Sequence, residues 1–225
     1  MDDGLRPSSI RGMKIRDVMT EDVVTVSPET PLKEVARLLA EWKISGAPVV
    51  GSDGNVLGVI SESDILWKEE VGRRRKLDFL HSLDDRGRQK CAAVNAGEAM
   101  TRPAVMIDEN AFVSDAARLM LERRVKRLPV VANGRLAGIV TRADLIRAFA
   151  RGDDEIEREI REDVLTHAHW IPRGSVRVTV DKGRVRLQGE VETPDLAESV
   201  RFFVERVPGV VSVDSRLRSP SPVTY

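Results

Sequence analysis

Cysteine occurs once in the 225 residues, at Cys91, so no internal disulfide is available and a reducing compartment fits. That thiol has no recognisable histidine or acid partner and reads as unreactive. Net charge is absent too: 36 basic residues balance 36 acidic ones, which removes the electrostatic case for nucleic acid as a partner of the whole chain. No apolar run approaches the roughly 18 residues of a membrane span. The opening MDDGLRPSSIRG has no apolar core of the signal-peptide kind. No nucleophile elbow, P-loop or paired-acid signature is found, so no catalytic residue is expected. His167 and His169 lie two apart near a predicted helix end, point to different faces and have no cysteine nearby, so no metal site is expected there. These absences leave a soluble, non-enzymatic, cytoplasmic protein as the expectation. With 41% apolar and 32% charged residues, the composition is that of a globular chain.

What is present is a repeat. GVISESDIL (58–66) returns as GIVTRADLI (138–146). Shifting the chain by 81 places Met19-Thr20 on Met100-Thr101 and Pro48-Val49-Val50 on Pro129-Val130-Val131; past a one-residue deletion the shift of 80 places Gly58 on Gly138 and Asp64 on Asp144. Each unit opens with a short extended segment, VVTVSP in the first copy. Ser27 and Asp108 are expected as helix N-caps. Leu32, Val35, Ala36, Leu38 and Leu39 then fall at helical spacing. Two apolar strands follow around Asp53-Gly54 or Asn133-Gly134, strong hairpin signals. A hydroxyl residue, Ser61 or Thr141, opens the last helix. One unit of about 55 residues would struggle to bury a core alone, and two copies packed sheet to sheet answer that.

The pattern DVMT…VVTVSPETPLKEVARLLAEWKISGAPVV…GNVLGVISESDIL, repeated as EAMT…AVMIDENAFVSDAARLMLERRVKRLPVV…GRLAGIVTRADLI, resembles a pair of CBS domains, a Bateman module. The resemblance implies an α+β fold of two βαββα-type repeats. It implies regulatory binding of an adenosine nucleotide (AMP, ADP, ATP or a related adenosyl compound) between the repeats, with no cofactor required. In that family the residues matching Ser61/Asp64 and Thr141/Asp144 contact phosphate and ribose. The residues alone leave two readings open. Each aspartate is either a helix cap accepting backbone N–H bonds or a ribose-binding carboxylate, with the helix N-terminus beside it receiving phosphate. The basic run holding Lys126 and Arg127 is either a solvated helix face or a phosphate site. Arg142, between Thr141 and Asp144, adds a cation where the first repeat has Glu62. The Asp144 site is therefore expected to suit a phosphorylated ligand, and the Asp64 site to be poorer for phosphate and either to take an uncharged or differently charged adenosyl group or to remain empty.

The boundaries read from the sequence are a tail at 1–13, repeats at 14–66 and 97–150 with a segment 67–96 between them, a C-terminal domain at 153–219 and a tail at 220–225. The stretch 67–95 carries eight basic and five acidic residues and an apolar patch of Leu77, Phe79, Leu80 and Leu83. It is read as a solvated linker, with an edge-covering helix or a dimer contact as the alternative. In the C-terminal third, a helical stripe of Ile156, Ile160 and Leu165 precedes a clean alternation, Val176/Val178/Val180 then Val185/Leu187, turned by Asp181-Lys182-Gly183. A helix ending at Pro208-Gly209 and a last strand complete the order αββαβ. VRVTVDKGRVRLQGEV and VPGVVSVDSRL make this segment resemble a BON domain, a module of bacterial osmotic-stress and membrane-associated proteins. The resemblance implies a phospholipid or protein partner and a location peripheral to the inner membrane. Fourteen acids against eleven bases argue against strong attraction to anionic lipid. Arg177, Lys182, Arg184 and Arg186 form either an outward basic face for such a partner or a solvated strand face. Homodimerisation through the repeats is expected, with Leu38/Leu39/Trp42 and Leu119/Met120 as either contact or core. The function expected is a nucleotide sensor relaying to the last domain. The alternative is a stress-related scaffold in which the repeats only dimerise.

Overall fold

The computed structural model describes residues 13–73, 90, 92–168 and 171–219. The apolar patch at 77–83, Cys91 and His169 lie outside them. The fold is α+β, and among the described residues the strands form three small sheets, one of two strands and two of three. In the first repeat, α1 (Leu32–Glu41) leads to β1 (Gly46–Val50), β2 (Val56–Ser61) and α2 (Glu62–Arg73). After the short α3 (Ala96–Ala99) come β3 (Ile107–Asp108), α4 (Val113–Glu122), β4 (Arg127–Ala132), β5 (Arg135–Thr141) and α5 (Arg142–Phe149). The C-terminal segment is α6 (Asp153–Glu159), continued by a π-helical stretch Ile160–Ala168, then β6 (Val176–Asp181), β7 (Arg184–Glu190), α7 (Pro194–Val204) and β8 (Ser212–Arg218).

Compact units do not follow the repeats: the described residues within 19–109 and 127–140 form one, and those within 13–18, 110–126 and 141–219 the other. Inside each unit the two repeats are interleaved by reciprocal hydrogen bonds. In the first, the N–H of Val59 on β2 donates to Thr101 O (3.1 Å) and Thr101 returns the bond (2.9 Å), while Thr20 and Ile139 on β5 exchange the same pair at 2.9 Å. Gly58 and Gly138 permit this. A Cβ on Gly58 would stand 2.5 Å from Met100 Sδ, and one on Gly138 2.6 Å from Met19 Sδ. The start of α1 is held by Leu32 N–H to Val94 O (3.1 Å) and Ala96 N–H to Thr30 O (2.9 Å). In the second unit the counterparts hold α4: Val113 N–H to Met13 O (3.2 Å) and Ile15 N–H to Ala111 O (2.9 Å). Each repeat is thus completed by the segment that leads into the other, a physical reason for two copies beyond core burial.

Two expectations need correction. Ser27 and Asp108 are not N-caps: the preceding residues are Pro31 for α1 and Phe112 for α4. Ser27 instead closes a turn with Thr30, whose N–H donates to Ser27 O at 3.1 Å. The first N–H of each helix bonds main chain from the segment that leads into the other repeat, and the Phe112 N–H bonds Asp115 Oδ2 at 3.4 Å. The opening extended segment of the first repeat is also reduced, to a single parallel bridge between Val26 and Val49. The hairpin expectations match the geometry. Asn133 (φ 51°) and Gly134 (φ 79°) form a turn with both central residues left-handed, as a two-residue hairpin demands. Leu39 and Met120 are core, at 4% and 1% exposure, whereas Trp42 is 62% exposed.

The C-terminal sheet joins an antiparallel hairpin, Val176↔Gly189 to Asp181↔Arg184, to a parallel third strand. Its inner face, with Val178, Val185 and Leu187, packs in a core with Ile156, Ile160, Leu165, Val200 and Val204. The turn Lys182-Gly183 is pinned by Asp153 at the start of α6, whose carboxylate accepts both N–H groups at 2.7 and 2.8 Å.

Candidate functional site

Both repeats end their hairpin in the same device. The N–H and hydroxyl of Ser61 donate to Asp64 Oδ2, each at 2.8 Å. The N–H and hydroxyl of Thr141 donate to Asp144 Oδ2 at 2.7 and 2.6 Å. At Thr141 the bond is returned, Asp144 N–H to Thr141 Oγ1 at 3.4 Å, which makes a reciprocal capping box with aspartate at the third helical position. Both aspartates are 5% exposed. Burial of a carboxylate is costly without partners, so each needs its hydrogen bonds. One oxygen of each carboxylate is consumed by the cap, and Oδ1 is left for something else. The capping and the ligand-binding readings of the aspartate are therefore compatible at the level of separate oxygens.

What reaches Oδ1 differs. At Asp144 it is the guanidinium of Arg147, one turn along the same helix, whose side chain is 72% exposed. At Asp64 it is the ammonium of Lys90, from the segment between the repeats, which also donates to Thr101 Oγ1 at 2.9 Å. Lys90 is 21% exposed at its side chain. Sequence reasoning missed both cations. Arg147 was findable from its i+3 spacing to Asp144; Lys90 lies 26 residues from Asp64, and nothing local signals the contact.

The basic run divides. Arg142 donates from Nε to Val125 O at 3.2 Å, and its N–H bonds Lys126 O at 3.1 Å. The first repeat makes the equivalent main-chain bond, Glu62 N–H to Ser45 O at 3.2 Å. Lys126 is exposed beside this bond. Arg127, grouped by sequence with the Asp144 site, is instead found in the first repeat's surroundings. It is 9% exposed and donates from Nη2 to Ser45 Oγ at 2.8 Å. Its sequence counterpart in the first repeat is Gly46, and the two meet. A Cβ at Gly46 would fall against the guanidinium and 2.5 Å from Ile60 O. Burial lowers the Arg127 pKa, while Glu62 and Asp64 oppose that shift through their charge. The Asp64 site also has Arg127 within electrostatic reach and Lys90 in contact, cations that the local sequence of the first repeat does not show.

On the C-terminal sheet, Arg177, Arg184 and Arg186 are exposed at alternate positions of β6 and β7, while Lys182 sits in the turn. Asp214 on β8 interrupts this face: Arg186 Nε donates to it at 3.2 Å and Arg216 Nη2 lies 3.1 Å away. Hydrogen bonds from Arg216 and then Arg186 hold the Asp214 carboxyl below the usual carboxylate range. Among the described residues no helix is long and apolar enough to cross a membrane, and no group of three or more His, Cys, Asp or Glu is placed to hold a metal ion.

The CBS domain family matches residues 15–69 and 96–151, and the BON domain family matches 152–219. An uncharacterized protein of Methanocaldococcus jannaschii is 36% identical over 156 residues, covering 61% of this chain and 91% of the relative. The chloroplastic CBS domain-containing protein CBSX2 of Arabidopsis thaliana is 31% identical over 165 residues, 67% of this chain and 69% of that protein. A solved structure of CBSX2 in complex with AMP superposes with a TM-score of 0.54 at 32% identity, covering 61% of this chain and 96% of that one. With two matched repeats, a relative covered almost end to end and the capping device present twice, the chain belongs to the CBS domain proteins, as a tandem CBS pair followed by a BON domain.

Proposed function

We propose that the CBS pair binds an adenosine nucleotide and that the protein is a regulatory sensor, not an enzyme. The observation that carries this is the paired device. Two buried aspartates each present a carboxylate oxygen not used by the helix cap, at a helix start whose polarity favours anions. A carboxylate there accepts ribose hydroxyls. Lys126 and Arg142 at the second repeat, and Arg127 at the first, provide charge for phosphate. The similarity to CBSX2, solved with AMP, supports the choice of nucleotide class. AMP supplied at 100 times its dissociation constant should add about 2.7 kcal/mol of stability. A melting temperature that does not move with millimolar AMP, ADP, ATP or S-adenosylmethionine would remove the reading.

The BON domain is the relay in this proposal, with Arg177, Lys182, Arg184 and Arg186 as the face toward a phospholipid or protein partner. Vesicles with and without anionic lipid separate the two: flotation only with anionic lipid selects the membrane. The pair is proposed to work as a homodimer. Trp42 and Leu66 in one compact unit, and Leu121 and Ile146 in the other, are 62 to 72% exposed and are the apolar side chains such a dimer would cover. Light scattering that reports 25 kDa at micromolar concentration would count against it. The second reading is a non-catalytic scaffold, and it draws on Asp64, whose two oxygens are both satisfied within the chain.

A further inference from the structure

We propose that Lys90 is a built-in competitor that closes the Asp64 site, so that the two sites of the pair differ in availability rather than in their core chemistry. This rests on the nucleotide reading above and assigns regulation to one of its two sites. At Asp64, Oδ2 is consumed by Ser61, and the remaining oxygen is the one a ribose would use. The Lys90 ammonium stands on it. It is also tied to Thr101 Oγ1 at 2.9 Å, on the segment that pairs with Val59 of β2. A ligand hydroxyl must therefore compete with a charge-assisted hydrogen bond whose members are 21% and 7% exposed. Such a pair is screened little by salt, and removing one partner leaves a buried charge unbalanced.

Among the described residues, the Asp144 site shows no such half-buried guard. Its Oδ1 contact is Arg147, a side chain 72% exposed that can rotate into solvent at little cost.

Calorimetric titration of AMP into the full chain tests this with wild type, Lys90→Met, Thr101→Val, and the first two combined with Asp144→Ala. Wild type should take up one AMP per chain and Lys90→Met two. Thr101→Val, which removes the second anchor and keeps the charge, should show the additional site with weaker affinity. Asp144→Ala should leave the wild-type background at least about tenfold weaker, yet leave one AMP per chain on Lys90→Met. Wild type already binding two, an unchanged stoichiometry in Lys90→Met, or weaker binding in that variant would overturn the proposal while the nucleotide reading stands. No uptake by either wild type or Lys90→Met would overturn both.

Discussion

The Asp64 and Asp144 sites have the same backbone and the same cap, and different company. In both, a hydroxyl residue at the end of a hairpin strand feeds two hydrogen bonds into Oδ2 of an aspartate three residues on. Around that frame the copies diverge: Ser45-Gly46 against Lys126-Arg127, Glu62 against Arg142, and Lys90 on one carboxylate against Arg147 on the other. The backbone and the cap are shared because register and capping fix them. Side chains pointing away from the cap are free to specialise, and Arg127 has done so across the pair, filling the space that its own counterpart, Gly46, leaves open. Duplication here yields one scaffold and two unequal sites.

The sharpest way to break the asymmetry is at Gly46. A valine there meets both the Arg127 guanidinium and the fixed carbonyl of Ile60. We expect a loss of about 3 kcal/mol in urea denaturation, the upper end for overpacking. Adding Arg127→Ala should return part of that loss, because one obstacle goes and the carbonyl remains. A Gly46→Val protein as stable as wild type would show that the guanidinium is not seated there.

Next in size is the affinity contrast. Asp144→Ala should weaken AMP binding at least about tenfold, from lost hydrogen bonds to a charged acceptor at about 1.5–3 kcal/mol each. The loss of the cap costs only about 1 kcal/mol, so the fold survives. Asp64→Ala, at the guarded site, should change the AMP affinity of wild type by less than about twofold. Equal losses at the two aspartates would make the sites equivalent.

How much of this stood in the sequence follows from locality. The hairpin turns, the helix faces and the three-residue caps Ser61/Asp64 and Thr141/Asp144 are set by neighbours in the chain, and they were legible. The αββαβ order of the C-terminal domain was legible for the same reason, since Val176/Val178 and Val185/Leu187 alternate without interruption. The start of α1 is not legible at Ser27, because the Leu32 N–H finds its partner in Val94 O, far along the chain. Arg127 reads as part of its own repeat, because sequence proximity says nothing of the side chain's direction across the pair. Lys90 is lost within a charged stretch whose other residues give no such signal.

The strand exchange offers a smaller, paired test. Gly58→Ala places a methyl 2.8 Å from Thr101 O, and Gly138→Ala places one 3.0 Å from Thr20 O, each beside a methionine that can yield. Each substitution should cost about 1–2 kcal/mol, with Gly58→Ala the costlier by denaturant midpoint. The reverse order would mean that Met19 yields less readily than Met100, and that the crossing at Gly138 is the tighter of the two.

The smallest effect expected is on affinity, when the connection to the BON domain is loosened. α5 ends at Phe149, and Gly152 already caps α6. Between them Arg151 folds back along α6, its guanidinium on Glu159 and its Nε 3.3 Å from Glu155. Glu159, 9% exposed, also accepts the Met13 N–H at 3.3 Å, and Asp153 grips the Lys182-Gly183 turn. Within a few residues of the helix that begins at Arg142, the chain is therefore bound into the C-terminal domain at several points. A short, clamped connection carries orientation, whereas a glycine-serine tether does not. If AMP shifts the start of α5, α6 should follow, by no more than the ligand's differential affinity for the two states allows. An insertion of about ten glycine and serine residues after Arg151 separates that arginine from Glu155 and Glu159. It should leave AMP affinity within about twofold and abolish the AMP-dependent change in small-angle scattering that the intact protein should show. Scattering profiles of the intact protein that coincide with and without saturating AMP would leave the BON domain a passenger on the pair.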